Sequence, residues 1–305
     1  MQACRTRTAA GRTIRNVLFA TDFSEESAHA IEYVRSLQAG YQAKLFAVYV
    51  ADVFPFSLSK EPSAVEKAAV IREHAETRLR DFMLLHGFER TSFEPAILSG
   101  EIFDAIDTFA DAHDIDLIVL GSRGDLGLNR LFLGSAAEEI FRSARCPVLT
   151  IGPHADLPHK DGRFRQLLFA TDLSPHSKAA VPLLEQILSQ DSSTRLTVLH
   201  VLPHVAHPLE QHLRTPEIEA EIRGIFARDL HGQILRVMIE PGEPAEVIPQ
   251  TACAMGADLL VLGVRYGGSF LRAATHGVSS ITNVLVSKSP CPLLTIRSSH
   301  PVPGT

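Results

Sequence analysis

A chain of 305 residues is long for one compact core and comfortable for two domains. Its 45% hydrophobic and 21% charged residues supply both a core and a solvated surface, so a soluble globular protein is expected. A net charge of −6 and a pI near 6.2 exclude a general affinity for nucleic acid or anionic membrane, since both need a basic surface.

No stretch approaches the apolar length of a membrane span, and the opening MQACRTRTAAGRT lacks the apolar centre of a secretion signal. The cytoplasm is the expected compartment. Cys4, Cys146, Cys253 and Cys291 show no Cys-x-x-Cys spacing, and two of them stand before proline at equivalent places in a repeat; they read as packing residues.

In chain order, residues 1–13 read as a tail and residues 17–20 as a buried strand. Ser24 then caps a helix that carries Glu25 and Glu26 in its first turn and runs to about residue 39. Residues 44–50 form the second strand. Residues 61–86, with Val70, Ile71, Ala75, Leu79, Phe82 and Met83, read as a long amphipathic helix. A third strand covers 93–98, and Gly100-Glu101 leads into a helix with Ile102, Phe103, Ile106 and Phe109 turned inward.

The segment 116–151, DLIVLGSRGDLGLNRLFLGSAAEEIFRSARCPVLTI, is the most informative. Its first five residues are a branched apolar run, the pattern of a strand buried on both faces of a parallel sheet. Gly121, Gly124 and Gly127 follow, Gly134-Ser135 opens a helical pattern with Ile140, Phe141 and Ala144 on one side, and Cys146-Pro147 ends it before a strand at 148–151. Glycine lets main-chain N–H groups approach a phosphate, and a helix N-terminus adds unpaired donors and a positive dipole end. The loop is therefore a candidate anion cradle, although glycines alone suit a long flexible turn equally well.

An internal repeat sets the architecture. NVLFATDFS from Asn16 returns as QLLFATDLS from Gln166, DLIVLG from Asp116 as DLLVLG from Asp258, and CPVLTI from Cys146 as CPLLTI from Cys291. Displacements of 150, 142 and 145 residues mean two copies of one domain. The copies fall at 14–152 and 164–298, with 153–163 as linker and 299–305 as a second tail. In the second copy Ser174-Pro175 opens the first helix, 194–201 is the second strand, and Ile218, Ile222, Ile225, Phe226 and Leu230 mark a shorter amphipathic helix. Pro249 falls inside the next helix, which predicts a kink or a late start there.

The spacing Gly121-x2-Gly124-x9-Gly134-Ser135, together with Ala-Thr-Asp-Phe-Ser and the Cys-Pro-Val-Leu ending, resembles the universal stress protein family in its tandem, UspA-like form. The resemblance implies an α/β fold: two tandem open-twisted five-stranded parallel sheets ordered 3-2-1-4-5, Rossmann-like and adenine nucleotide alpha hydrolase-like, with helices on both faces. That order places strands 1 and 4 together at the switch point, where ligands sit beyond the carboxyl ends. The resemblance further implies ATP, with or without magnesium, as the ligand. Asp22 and the main chain of Val50 would face the adenine, Gly121 and Gly124 the ribose and phosphates, and Gly134 with the Ser135 hydroxyl the phosphate tail. On the residues alone, Asp22 reads as a strand-end aspartate capping the next turn and Ser135 as a first-turn serine.

The second copy departs at the ligand end. Gly263 is followed by Gly267, a first interval of three residues instead of two, and after Gly267-x9-Gly277 comes Val278 where the signature has a hydroxyl. Its site is expected to be degenerate. Asp172, Val201 and Gly242 remain, and Ser279 lies one residue beyond Val278, so a weakened or different site stays open as the alternative.

No Gly-x4-Gly-Lys-Ser/Thr loop, Gly-x-Ser-x-Gly elbow or receiver-type acidic cluster is present, so no catalytic residue is assigned. His200, His204, His207 and His212 crowd one region, but prolines lie among them and solvated loop histidines are the simpler reading. The expected function is nucleotide-dependent regulation in stress without catalysis; a slow ATPase or phosphotransfer enzyme and a nucleotide-free scaffold are the alternatives. The equivalent last strands, 148–151 and 293–296, are expected to pair as an intrachain pseudo-dimer, with a homodimer as a further step.

Overall fold

The computed structural model describes residues 14–51, 62–122, 137, 139–140, 144–202, 208–226, 235–264 and 281–297. They divide into two compact units, the first comprising Ile14–Pro153 with Leu157–Gly162, the second His154–Asp156 with the described residues from Arg163 onward.

In the first unit the order of elements is β1 (Asn16–Ala20), α1 (Glu25–Tyr41), β2 (Lys44–Ala51), α2 (Pro62–Leu85), β3 (Glu94–Ser99), α3 (Ile102–Ala112), β4 (Leu117–Gly121) and β5 (Val148–Ile151). All pairs are parallel, in the order β3-β2-β1-β4-β5. The central strands are covered on both faces, so Val17, Leu18 and Phe19 of β1 and Ile118 and Val119 of β4 are wholly apolar and buried. Ser24 caps α1 by accepting the Ser27 N–H, and Glu25 and Glu26 oppose the positive end of the dipole.

Asp116 belongs to the turn before β4 and not to the strand. Its Oδ2 accepts the N–H groups of Arg15 at 2.9 Å and Asn16 at 3.0 Å, fastening the entry of β1 to that of β4. Asp258 does the same for Arg165 and Gln166 at 2.7 and 3.0 Å. This repeated aspartate acts at the amino edge of each sheet. On α2 the buried stripe is Ala75, Leu79 and Met83, while Val70 faces solvent; on α3 Ile106 and Ala110 are buried and Ile102, in the first turn, is exposed.

The second unit runs β6 (Gln166–Ala170), α4 (Pro175–Lys178), α5 (Val181–Gln190), β7 (Arg195–Leu202), α6 (Pro208–Phe226), β8 (Leu235–Pro241), α7 (Pro244–Met255), β9 (Leu259–Val264), α8 (Ile281–Lys288) and β10 (Leu293–Arg297). Its parallel order is β8-β7-β6-β9-β10, the same arrangement. The first helix of this copy is split. Pro182 has no N–H to donate to the Lys178 carbonyl, and the chain bridges the gap with tighter bonds from Ala179 N–H to His176 O and Ala180 N–H to Ser177 O. The late start anticipated at Pro249 does not occur: α7 begins at Pro244 and continues through Pro249.

Part of the linker is packed. Gly162 takes φ +68°, its N–H bonds to His159 O at 2.9 Å, and a side chain there would collide with the Ser36 carbonyl of α1. Among the described residues no helix is long and apolar enough to cross a membrane.

Candidate functional site

The carboxyl edge of the first sheet is built on one short turn. Beyond Ala20, the Thr21 N–H donates to Val48 O at 3.0 Å, and the chain then turns sharply through Phe23, which takes φ +67°. That left-handed conformation costs a residue with a Cβ on the order of 1–3 kcal/mol. The turn is held by side chains. Thr21 Oγ1 accepts the Phe23 N–H at 3.0 Å, and Asp22 Oδ1 accepts from Ser24 N–H (3.1 Å), Ser24 Oγ (2.6 Å) and Ser27 Oγ (2.7 Å). The Phe23 ring packs on Tyr49 and Phe82 at 4.6 and 5.5 Å, with the Arg78 guanidinium 4.3 Å above it.

Asp22 is thus a capping aspartate: one carboxylate oxygen organises the start of α1. The second unit repeats the device with Leu173 at φ +63°, its N–H on Thr171 Oγ1 at 3.0 Å, and Ser174 N–H on Asp172 Oδ1 at 3.0 Å. Burial would raise the Asp172 carboxyl, but hydrogen bonds from Ser174 and Ser177 outweigh it and hold the group below the usual carboxylate range.

The register brings Asp22, Val50 and Gly121 to one edge. Ala20 pairs with Val48 on one side and with Leu120 on the other, so Asp22 is level with Val50 and Gly121 with Thr21. β1 stops at Ala20, while β2 continues to Ala51. Every second residue of a parallel strand turns its main-chain groups to the same neighbour. Val48 accepts from the β1 side, so Val50 offers its N–H and C=O past the end of β1. Gly121 has a packing role as well: a Cβ there would lie 2.7 Å from the Glu26 carbonyl and 2.9 Å from Ser27 N. Gly263 meets His176 and Ser177 in the same way. Gly124, Gly134 and Ser135 lie outside the described residues.

The glycine count misassigned the hydroxyl in the second copy. Cys146 lies 12 positions after Gly134, but Cys291 lies 14 after Gly277. Burial fixes which residues correspond: Ala137, Ile140 and Ala144 match Thr282, Leu285 and Ser289, all buried, at the constant offset of the Cys-Pro pair. Counted back from the strand, the counterpart of Ser135 is Ser280, immediately before α8, and that of Gly134 is Ser279. The hydroxyl is retained, and the glycine is what this copy lacks. A signal was present in the sequence in the two extra residues before Cys291.

His200 is engaged: its Nδ1 donates to Thr171 O at 2.8 Å, which leaves Nε2 as the unprotonated nitrogen of the neutral ring. His204, His207 and His212 fall outside the residues whose side chains are described. Among the described residues no group of three or more histidine, cysteine or acidic side chains could hold a metal ion.

Two doubly wound parallel sheets, each with its switch point between the first and fourth strands, define a tandem Rossmann-like α/β protein. A family model described as "Universal stress protein family" matches residues 13–152 and 163–297, and the chain belongs to that family. It is similar to the universal stress protein MJ0531 of Methanocaldococcus jannaschii, at 30% identity over 138 residues, 45% of this chain and 81% of that one. It is also 31% identical over 137 residues to a universal stress protein of Thermus aquaticus, spanning 45% of this chain and 98% of the relative. Among solved structures, a universal stress protein from Archaeoglobus fulgidus shares the fold with a TM-score of 0.67 at 19% identity, covering 94% of this chain and 99% of that one.

Proposed function

We propose that the first unit binds one ATP per chain and that occupancy of this site, not turnover, is the protein's output. The observation that carries the reading is the early end of β1. It leaves a main-chain donor and acceptor on Val50 open beside Asp22 and across from Gly121, an arrangement suited to the hydrogen-bonding edge of a purine. The sequence beyond Gly121 supports placing the phosphates there, since Gly124, Gly134 and Ser135 keep the family spacing. The second unit has an interval one residue longer and Ser279 in place of the glycine, so main-chain approach to a phosphate is hindered there.

We leave catalysis out of the proposal: among the described residues of this edge, the Asp22 oxygen that the turn engages is occupied in accepting hydrogen bonds from Ser24 and Ser27. The ligand's effect is then a shift between conformations or assemblies that a partner reads. Mass spectrometry of small molecules released by denaturing freshly purified protein should return ATP, with ADP or AMP as the competing outcomes. A magnesium-dependent turnover assay separates this reading from a slow ATPase, which would release phosphate in proportion to time. A cytoplasmic location and association into homodimers belong to the same proposal, tested by cell fractionation and size-exclusion chromatography.

A further inference from the structure

One buried hydroxyl at the ligand end of the first unit has no hydrogen bond. Ser122 is 2% exposed, and its Oγ is without a partner. Its N–H donates to Ile151 O at 2.9 Å, so the β4–β5 ladder continues one residue beyond β4. Side chains alternate along an extended strand, and the Cβ that Gly121 lacks would point at Glu26 and Ser27 of α1. Ser122 therefore points to the other face, away from α1.

Buried hydroxyls are nearly always paired, and an unpaired one is unfavourable. Packing does not require it here. The second unit has Val264 at the equivalent position, also buried, so an apolar side chain serves the fold equally well. At this position, one residue past the fourth-strand glycine, only the copy that keeps the nucleotide signature carries an unpaired donor; the other buried hydroxyl without a partner among the described residues, Ser289 Oγ, lies beyond the C-terminal end of α8 in the second unit.

Val50 stands on β2 and Ser122 directly after β4, with β1 between the two strands. Two strand spacings separate those elements, about 10 Å, close to the length of an adenosine. With adenine against Val50, the group that arrives at Ser122 is phosphate. We propose that the Ser122 hydroxyl donates its hydrogen bond to a phosphoryl oxygen of the bound nucleotide, an inference that rests on the nucleotide reading above. An anionic acceptor in a dry setting makes that bond strong.

Calorimetric titration of ATP and of adenosine into the full chain, as wild type, Ser122→Ala and Ser122→Thr, tests it alongside thermal melts without ligand. Ser122→Ala should lose tenfold or more in ATP affinity, about 1.4 kcal/mol, and leave adenosine affinity unchanged. Ser122→Thr, which keeps the hydroxyl, should stay within about threefold of wild type for ATP. Without ligand the alanine variant should melt about 2–4 °C higher, because an unpaired buried group has been removed. Equal ATP affinity in wild type and Ser122→Ala, an equal loss for adenosine, or a lower melting temperature of the ligand-free alanine variant overturns the inference and leaves the nucleotide site standing. Wild-type protein that binds neither ligand defeats the nucleotide reading itself, and this inference with it.

Discussion

Gly121→Ala tests how the ligand edge is held together. The new methyl group would sit 2.7 Å from the Glu26 carbonyl atoms and 2.9 Å from Ser27 N, against an ordinary contact of about 3.5 Å. Relief requires the first turn of α1 to retreat by roughly 0.7 Å. That movement stretches the bonds by which Asp22 Oδ1 holds Ser27 Oγ at 2.7 Å and Ser24 Oγ holds Ser27 N at 3.2 Å. Overpacking costs about 1–3 kcal/mol and a weakened cap about 1 more, so the melting transition should fall by roughly 4–16 °C. Gly224→Ala is the control. It lies within α6 with nothing within 4 Å of the new Cβ, and should be stabilised by about 0.5–1 kcal/mol. Differential scanning calorimetry of the two variants decides the matter. A Gly121→Ala protein within about 0.5 kcal/mol of wild type would show that α1 does not press on β4 as described.

The depressed Asp172 carboxyl stabilises the fold above the ordinary carboxylate range, and that contribution is lost as pH falls through its folded-state value. Urea midpoints measured from pH 6 down to 3 should therefore fall less steeply in Asp172→Asn, and parallel slopes would refute the assignment. Burial pushes the thiols of Cys146 and Cys291 up to about 12, whereas Cys253 is exposed. With Cys4 replaced by serine, a thiol reagent at pH 8 should modify one cysteine quickly, and Cys253→Ser should abolish that phase. Asp116→Ala leaves the N–H groups of Arg15 and Asn16 without their acceptor and should cost about 1–3 kcal/mol in denaturant titration, with nucleotide affinity unchanged because the residue stands at the opposite edge of the sheet.

Much of the architecture was legible because it is written twice. The repeated apolar runs gave the first, fourth and fifth strands of each copy to within about two residues, Ser24 and Ser174 marked the helix starts they were expected to mark, and β8, which belongs to no repeated run, was not located from the sequence. What escaped depends on neighbours distant in sequence. Gly121 reads as a phosphate-loop glycine, yet its bare face is demanded by Glu26 and Ser27, nearly a hundred residues earlier. Val70 fits a helical stripe as well as Ile71 does, and only the position of the sheet under α2 decides which of the two is covered. Pro182 could have announced the break between α4 and α5, since it follows Ser174-Pro175 too closely for an uninterrupted ladder. At the site, spacing from glycine to glycine concealed Ser280, because two inserted residues shift the helix relative to the loop; the burial pattern running back from Cys291 recovers it. Ser122 carries no motif signal, and its interest arises from burial without a partner.

The central claim, one nucleotide bound at the edge formed by Asp22, Val50 and Gly121, is tested most directly by calorimetric titration of ATP into the full chain and into two matched variants. Asp22→Ala removes the acceptor that organises the first turn, and Asp172→Ala removes its counterpart in the second unit. The account predicts a stoichiometry of one for wild type, a similar isotherm for Asp172→Ala, and at least a tenfold loss for Asp22→Ala. A stoichiometry of two, no binding, or a loss confined to Asp172→Ala would contradict it.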